Sequence, residues 1–271
     1  MEENTLKAGE NATLANDLIE KALAEPQTEQ TIQVKLPTPN TVNLPGGYRL
    51  LTGEVIRTAE VRELNGFDEE AISRTGTLGK AVNAIISRAV VKVGDEKATD
   101  DILDGLLSGD RDALALGIYR VTFGNEAELS GFCEGCSEFK TVNIDVDTDI
   151  KTKPLIDPVN DRQFIIEGRD SEYLVALPSG KCQKELNIVN GEKTLAEMQT
   201  ILLEHCVVQI NGTPVYSPTA VKKIGLVDRR KIAEEISKRN PGPQLEDVKV
   251  TCPDCGTEVV VPISFGALFQ F

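Results

Sequence analysis

The chain has 271 residues, a formal net charge of −14 and six cysteines. This length allows one large domain or two medium ones with a full-sized core. The acidity disfavours a nucleic-acid partner, because binding phosphates requires clusters of basic residues. No apolar run approaches the roughly 20 residues that span a bilayer, and the N-terminus does not begin a secretion signal. We therefore expect a protein of a reducing compartment without a membrane span, whose cysteines are metal ligands or buried thiols.

Residues 1–40 differ in composition from the rest of the chain. Asn11 or Thr13 could cap a short amphipathic helix, whose apolar face would contain Leu14, Leu18, Ile19, Ala22 and Leu23. A stretch rich in Gln, Thr and Pro follows. Two interpretations of this N-terminal arm stay open: a frayed tail, or an arm that lays its apolar stripe on a neighbouring subunit.

The remainder of the chain contains two series of similar motifs in the same order. Each series has an Asn-Gly dipeptide, an amphipathic helix, a Val-Val strand, an Asp-Arg pair at the start of a second helix, a glycine and a CxxC hairpin. From the Val-Val strands to the CxxC pairs, the offset between partners stays nearly constant. We therefore predict an internally duplicated α+β fold, with a first repeat at residues 41–150 and a second at residues 177–271.

The individual elements follow from apolar periodicity and turn residues. The first repeat begins at Leu44–Gly47, and its predicted counterpart is Leu177–Gly180. The first helices carry matching faces at Leu78, Val82, Ile85, Ile86 and Ala89, and at Leu195, Gln199, Leu202, Leu203 and Cys206. The second helices start near Asp110 and Asp228 and close at Gly124 and Gly242. Residues 151–176 are predicted to form a connecting hairpin region.

Two CxxC pairs, Cys133/Cys136 and Cys252/Cys255, end the two repeats. A tight CxxC turn offers two thiolates, and zinc prefers four of them in a tetrahedron at about 2.3 Å. Neither repeat supplies four, so the economical arrangement joins both hairpins in one closed, structural zinc site. Such a site contributes on the order of 10 kcal/mol to the folded state. The glycines within and after the turns, Gly135 and Gly256, suit knuckles that require a positive φ.

Other interpretations of the cysteines carry less weight. Two solvent-facing pairs without metal remain an alternative. A redox-active CxxC is disfavoured because neither pair opens a helix after a strand, and a catalytic zinc because four thiolates leave no open position. Cys206 takes the place of Ala89, which predicts a buried thiol. Its neighbour His205 is expected on the exposed surface.

No catalytic set emerges from the remaining polar residues. In Asp110-Arg111 and Asp228-Arg229 we expect an Asp that caps a helix and an Arg that points outward. The acidic stretch at residues 145–149 lacks the central glycine and distal glutamate of a calcium loop, and its alternation with apolar residues suits an edge strand. The chain has one histidine and neither a Walker loop nor a GxGxxG after a strand. We predict that it is not an enzyme.

The order of these motifs resembles the baseplate-hub and tail-assembly proteins of contractile-tailed bacteriophages. The resemblance covers residues 41–271 and rests on Glu63–Glu70, which is similar to the family's L-T-G-x-D-E-E segment, on Gly109–Gly124, on the first CxxC hairpin, on Leu177–Gly180 and on the closing Val250–Ile263. The family's apolar aromatic tail is matched by Phe265, Leu268, Phe269 and Phe271. The first pair departs from the family's CPxC, and residues 1–40 fall outside its pattern.

The resemblance implies a non-enzymatic structural or assembly component of a phage tail baseplate or hub. Its partners would be other phage tail and baseplate proteins in a multi-subunit assembly, and its location the virion tail baseplate, after assembly in the host cytoplasm. Because an exposed aromatic tail is costly in water, we expect residues 265–271 to pack on the protein itself or on a partner. Two other classes stay open: a zinc-ribbon adaptor that contacts nucleic acid or the transcription machinery, and a thiol oxidoreductase.

Overall fold

The computed structural model describes residues 40–245 and 247–270, so the helix predicted within the N-terminal arm lies outside the described residues. The first series of elements runs as a hairpin, two helices, a short hairpin, two helices and a long hairpin. Their bounds are β1 Asn40–Arg49, β2 Val55–Val61, α1 Gly66–Ser73, α2 Leu78–Ala89, β3 Val90–Val93, β4 Glu96–Lys97, α3 Asp100–Gly105, α4 Ser108–Phe123, β5 Glu126–Cys133 and β6 Glu138–Asp145. We call residues 40–145 the first unit.

The second series repeats this order of elements. After the short strand β7 (Thr152–Lys153), its bounds are β8 Gln163–Glu167, β9 Glu172–Ala176, α5 Gly180–Val189, α6 Leu195–Cys206, β10 Val207–Ile210, β11 Thr213–Pro214, α7 Pro218–Lys222, α8 Leu226–Arg239, β12 Gly242–Pro243, β13 Val248–Thr251 and β14 Glu258–Val261. A last helix, α9, spans Phe265–Phe269. We call residues 163–261 the second unit.

Each unit builds its own four-stranded antiparallel sheet. The strand order is β1-β2-β3-β4 in the first unit and β11-β10-β9-β8 in the second. A third sheet, in the order β13-β14-β5-β6, combines the cysteine hairpins of both units. This mixture of helices and antiparallel strands is the predicted α+β class. No helix among the described residues is long and apolar enough to cross a membrane.

Local sequence explains where the long helices begin and which face they bury. Thr77 caps α2 by accepting a hydrogen bond from the Lys80 amide, and Thr194 forms a capping box with Glu197 at the start of α6. The predicted inner face of α2 is buried at Val82, Ile85, Ile86 and Ala89, whereas that of α6 is buried at Leu203 and Cys206 and half-buried at Gln199 and Leu202. The prediction is wrong for the first residues of both helices, Leu78 and Leu195, which are exposed at the helix starts.

The hydrophobic core is divided between the units. One cluster joins β1, β2, α2 and α4 to the shared cysteine sheet, and Val259, Val261 and Ile263 pack into it although they follow the second unit's CxxC turn. A separate cluster fills the second unit between its sheet and α6 and α8. The cysteine sheet therefore packs with the first unit, and the second unit has an independent core.

The predicted pairing of Leu44–Gly47 with Leu177–Gly180 is wrong. Leu44–Gly47 lies inside β1, whereas Leu177–Gly180 runs from the end of β9 into α5. Similarly, Asn65 caps the start of α1, but Asn190 follows the end of α5. Short Pro-Gly and Asn-Gly motifs mark many kinds of chain reversal, so their likeness did not imply the same position. In element order, the β8–β9 hairpin holds the place of β1–β2.

Candidate metal centre

The two cysteine hairpins meet along one pair of strands. Strand β14 pairs with β5 through Val260 and Phe132, so each CxxC turn lies at the same end of the sheet. Gly131 makes this approach possible, because a Cβ atom there would lie 2.6 Å from Val259 Cγ1 and 2.9 Å from the Val260 carbonyl oxygen. The backbone pairing thus brings together cysteines that are far apart in the chain.

The four predicted ligands form one cluster of sulfur atoms. Cys133 Sγ lies 3.5 Å from Cys255 Sγ, and Cys136 Sγ lies 3.8 Å from Cys252 Sγ. All four sulfurs lie within 4.8 Å of one another. A tetrahedron with metal–sulfur bonds of about 2.3 Å has edges of about 3.8 Å, so the cluster has the dimensions of a four-thiolate zinc site. Such a site has no open coordination position and suits a structural role.

The turns hold the sulfurs through backbone hydrogen bonds. In the second turn the Cys252 amide donates to the Thr257 carbonyl (2.8 Å) and the Gly256 amide donates to the Cys252 carbonyl (3.0 Å). Gly256 has a φ of 73°, as predicted. The positive φ predicted for Gly135 is wrong, since in the first turn Ser137 adopts it instead. Gly135 is required for space, because a Cβ atom there would lie 2.4 Å from Thr257 Oγ1.

The sulfur cluster favours unequal protonation of its thiols. Hydrogen bonds from the side chain and backbone of Thr257 lower the pKa of Cys255 to about 6. A hydrogen bond with Cys255 and burial raise the pKa of Cys136 to about 12. Neighbouring thiolates repel one another at this distance. A bound divalent cation would remove that repulsion and release the remaining protons, so metal affinity should rise with pH.

Charged side chains at the edge of the cluster also link the hairpins. Lys140 on β6 forms an ion pair with Asp254 of the second turn (2.6 Å) and another with Glu138. The two carboxylates also lie within 4.8 Å of the Cys136 sulfur. Because both carboxylates are already paired with Lys140, the four sulfurs are the better ligand set. The sequence did not reveal this bridge, since it depends on the pairing of distant hairpins.

The arginines of the two Asp-Arg pairs do not point outward as predicted. Arg111 is 2% exposed and Arg229 is 6% exposed. Arg111 donates to the Leu103 carbonyl (3.4 Å) and to Asn83 Oδ1 (3.0 Å). Arg229 donates to the Val221 carbonyl (3.0 Å) and to Thr200 Oγ1 (2.8 Å). In each unit the guanidinium joins the two helices that precede its own, and the lost hydration is replaced by these hydrogen bonds.

The aspartates of these pairs do not cap their helices either. The N-caps of α4 and α8 are Leu107 and Gly225, without a side-chain hydrogen bond. Asp110 instead accepts from the Gly46 amide of β1 (2.6 Å), and Asp228 from the Arg169 amide of the β8–β9 turn (3.0 Å). Each carboxylate thus joins its second long helix to the hairpin that opens its unit. Long-range contacts of this kind outweigh the local capping preference.

The two remaining cysteines lie together in the second unit. Cys182 and Cys206 are both fully buried, which confirms the prediction for Cys206. Contact with the Cys182 thiol, together with burial, raises the pKa of Cys206 above its usual range. The prediction for His205 is wrong: its side chain is 23% exposed, and Nε2 lies 2.9 Å from Glu185 Oε2 on α5. The pairing of α5 with α6 covers this ring.

The acidic stretch after β6 forms a turn rather than the predicted edge strand. Asp145 Oδ1 accepts from the amides of Asp147 (2.8 Å) and Thr148 (3.2 Å). Asp149 Oδ2 accepts from the Asp145 amide (2.9 Å). These local hydrogen bonds satisfy the backbone without a neighbouring strand.

The aromatic C-terminal segment packs on the protein itself, as one of the two predicted alternatives stated. Within α9, Leu268 and Phe269 are buried. The Phe269 ring packs edge-on against Tyr119, with centroids 5.5 Å apart, and against Phe123, with centroids 6.1 Å apart. The last helix therefore packs on the C-terminal turns of α4 and covers Tyr119, whereas Phe123 stays half exposed.

Fold and site together define a class: an α+β protein whose two units share a sheet with a candidate structural metal centre. The family described as T4 bacteriophage base plate protein matches residues 61–270, and the chain belongs to this family. The predicted resemblance to phage baseplate proteins is confirmed. No curated protein and no solved structure matches the chain. Membership suggests a structural role alongside other phage proteins and a location in the virion tail.

Proposed function

We propose that this protein is a structural or assembly component of the phage tail baseplate or its hub, and that it acts through contacts with other tail proteins rather than by catalysis. The family match over residues 61–270 carries this proposal. Assembly would take place in the host cytoplasm. Deletion of the gene should stop baseplate formation, as seen by electron microscopy of infected-cell lysates. Normal baseplates without it would overturn the proposal.

We further propose that Cys133, Cys136, Cys252 and Cys255 bind one structural zinc ion. The sulfur distances and the absence of an open position support this choice. Metal analysis of the purified chain should find one zinc per molecule, and Cys252→Ser should lose it. Cys182→Ser is the matched control, because it removes a buried thiol outside the cluster. A purified chain that contains no zinc, or whose stability does not change on treatment with a chelator, would contradict the proposal.

The two units, we propose, arose by internal duplication. The same order of elements, and the hydrogen bonds of Arg111 and Arg229 to corresponding positions, support this view. The second repeat would then begin with β8 at Gln163 rather than at residue 177, and the β8–β9 hairpin would not be a connector. An experimental structure tests this directly. Superposition of the two units should align Asp110 with Asp228 and Gly124 with Gly242.

The packing of α9 on α4 also suggests a role for the C-terminal segment in assembly. Truncation of residues 265–271 would expose Tyr119 and should reduce incorporation into baseplates. Thermal unfolding of the truncated chain separates a loss of folding from a loss of contact. Unchanged incorporation would argue against this role.

One observation favours a second candidate, a thiol oxidoreductase. Cys255 is exposed and its pKa is lowered to about 6, which is typical of a reactive thiol. Labelling with iodoacetamide distinguishes the two functions. A structural zinc site should protect all four cysteines until a chelator is added, whereas redox chemistry requires rapid labelling of the metal-loaded protein.

A further inference from the structure

The start of α4 in the first unit is covered by the second unit. Ser108 Oγ donates to Asn240 Oδ1 (3.1 Å), just beyond the end of α8. A Cβ atom on Gly109 would lie 1.6 Å from the Pro241 carbonyl oxygen, so the two backbones touch. The start of α5 closes the same face, because the Gly180 amide donates to the Leu106 carbonyl (2.6 Å). We call this region of the first unit the covered face.

The corresponding region of the second unit is open. Helix α8 begins with Leu226 and Val227, as α4 begins with Ser108 and Gly109, and these two side chains are 73% and 56% exposed. They border a groove of about 870 Å³. Lys223 and Arg169 line this groove beside one exposed acid, Asp170, and two further exposed basic residues, Lys222 and Arg230, are close by in the chain. We call this region the open face. Clustered apolar side chains within a basic rim are typical of an interaction surface.

The first unit carries an edge that corresponds to the elements of the second unit that close the covered face. Phe123 ends α4 before Gly124, as Pro241 precedes Gly242 after α8, and it is 57% exposed. Gly66 is the first residue of α1, as Gly180 is of α5. A Cβ atom on Gly180 would lie 2.2 Å from the Leu103 carbonyl oxygen, but Gly66 has open space around it.

This edge is aromatic and acidic. Phe67 is 80% exposed. Its neighbours Asn65 and Glu69 line a groove of about 560 Å³ together with Phe123. Three exposed glutamates lie in the same segment, at Glu63, Glu69 and Glu70. We call Glu63–Glu70 together with Phe123 the acidic edge. Its apolar centre and its charge are complementary to the open face.

We propose that the open face of one chain binds the acidic edge of a second copy of the same chain. This contact between molecules would repeat the contact within each molecule. There, the segment after α8 and the start of α5 cover the start of α4. This inference rests on the proposed duplication, which makes the two regions correspond. A head-to-tail contact leaves a free face and a free edge on every dimer, so copies add until a ring closes or a filament grows.

The charges decide which occupant suits the open face. The chain as a whole carries a net charge of −14, so two copies repel each other except where local charges are opposite. The basic open face and the acidic edge provide such a match. Val227 takes the place of Gly109, so the close backbone contact of the covered face cannot recur. Its side chain instead offers Phe67 and Phe123 an apolar surface.

A charge exchange between the two surfaces tests the proposal with the purified full-length chain. The first variant reverses the open face with Lys222→Glu, Lys223→Glu and Arg230→Glu. The second reverses the acidic edge with Glu63→Lys, Glu69→Lys and Glu70→Lys. Sedimentation velocity at low salt should show oligomers for the natural chain and monomers for each variant alone. A one-to-one mixture should associate again, because the reversed face meets a reversed edge and the natural surfaces also match.

A control variant with the same charge change as the first variant keeps both surfaces intact: Arg49→Glu, Lys97→Glu and Lys151→Glu, all at exposed positions. It should associate like the natural chain, and circular dichroism should show that all variants fold. A natural chain that stays monomeric, or variants that associate as well as the natural chain, would overturn the inference. A chain that is monomeric in solution but still enters baseplates would overturn this inference and leave the proposed function intact.

Discussion

The two Asp-Arg pairs hold corresponding places in the two units but different surroundings. Asp228 uses both carboxylate oxygens: one accepts from the Arg169 amide and the other from the Tyr173 hydroxyl (2.9 Å). Asp110 uses one oxygen for the Gly46 and Gly47 amides, and its buried Oδ2 has no hydrogen-bond partner among the described residues. Burial raises the pKa of Asp110. The hydrogen-bonding capacity of the aspartate is thus used on both oxygens in the second unit and on one oxygen in the first.

The difference follows from what covers each unit. The second unit packs on the start of α4, where backbone contacts require Gly109, and on the Arg111 side of the helices. At the start of α8, Asp228 is covered by the β8–β9 turn, and Leu226 and Val227 are exposed. The Asp-Arg pairs therefore make corresponding hydrogen bonds within each unit. How deeply each pair is buried depends on whether the other unit packs against it. The predictions below test this division.

Loss of the metal should produce the largest difference between the two units. Chelation of a zinc-loaded chain should remove several kcal/mol of stability or more, since a structural zinc contributes on the order of 10 kcal/mol. The cysteine sheet shares its core with the first unit, so hydrogen exchange should accelerate in β5, β6 and β14 before it does in the second unit's core. Uniform acceleration in both units would contradict the division of the core.

Removal of a buried arginine should cost more in the first unit. Arg111→Ala should destabilise the chain by about 4 kcal/mol and Arg229→Ala by about 3 kcal/mol, because each leaves buried acceptors unpaired. The difference comes from Gln183 of the second unit, whose Oε1 accepts from Arg111 Nε (2.8 Å). Urea denaturation measures both values. A larger loss for Arg229→Ala would show that the contact between units adds little.

A matched pair of glycines compares two helix starts: Gly180 of α5, which lies against the covered face, and Gly66 of α1, which lies in the acidic edge. Gly180→Ala should destabilise by about 2 to 3 kcal/mol, because its Cβ atom would overlap the Leu103 carbonyl at 2.2 Å. Gly66→Ala at the same helix position has open space and should change stability by less than about 0.5 kcal/mol. Thermal unfolding of both variants checks this. Equal effects would mean that the two helix starts are equally enclosed.

The smallest expected effect depends on pH and concerns Asp112 between the units. Burial raises its pKa from 3.8 to about 6, against the hydrogen bond from Gln183 and the charge of Arg111. A raised carboxyl pKa means that the folded state favours the neutral acid, so stability is lost as the pH rises from about 4 through 6. Asp112→Asn should therefore stabilise the chain by about 2 kcal/mol at pH 7 and by almost nothing near pH 4.

Comparison of denaturation curves at the two pH values checks this prediction. Asn keeps an oxygen that can accept from Gln183 Nε2, which in the natural chain donates to Asp112 Oδ1 (2.6 Å). The hydrogen bond between the units is thereby retained, and the charge alone is removed. An equal gain at both pH values would assign the effect to packing instead of ionisation.

Much of the fold could be predicted from the sequence where the signal is local. The apolar period places α2 and α6, the Val-Val strands follow them directly, and the CxxC turns lie between alternating strands. The short helices α1, α3, α5, α7 and α9 were not predicted, because five to ten residues give too little periodicity. The predicted start of the second repeat at residue 177 relied on a Pro-Gly motif whose position depends on context.

For the candidate site, the sequence alone determined which cysteines come in pairs and that each pair closes a hairpin, because a tight turn with two thiols is a local property. It also indicated the family. Only the tertiary structure decided that β14 lies beside β5 and brings four sulfurs within 4.8 Å of one another. The same holds for the buried Arg111 and Arg229: whether a charged side chain reaches solvent or a carbonyl depends on elements that are distant in the chain. Spacing in the sequence cannot specify these contacts, since they arise when separate elements pack.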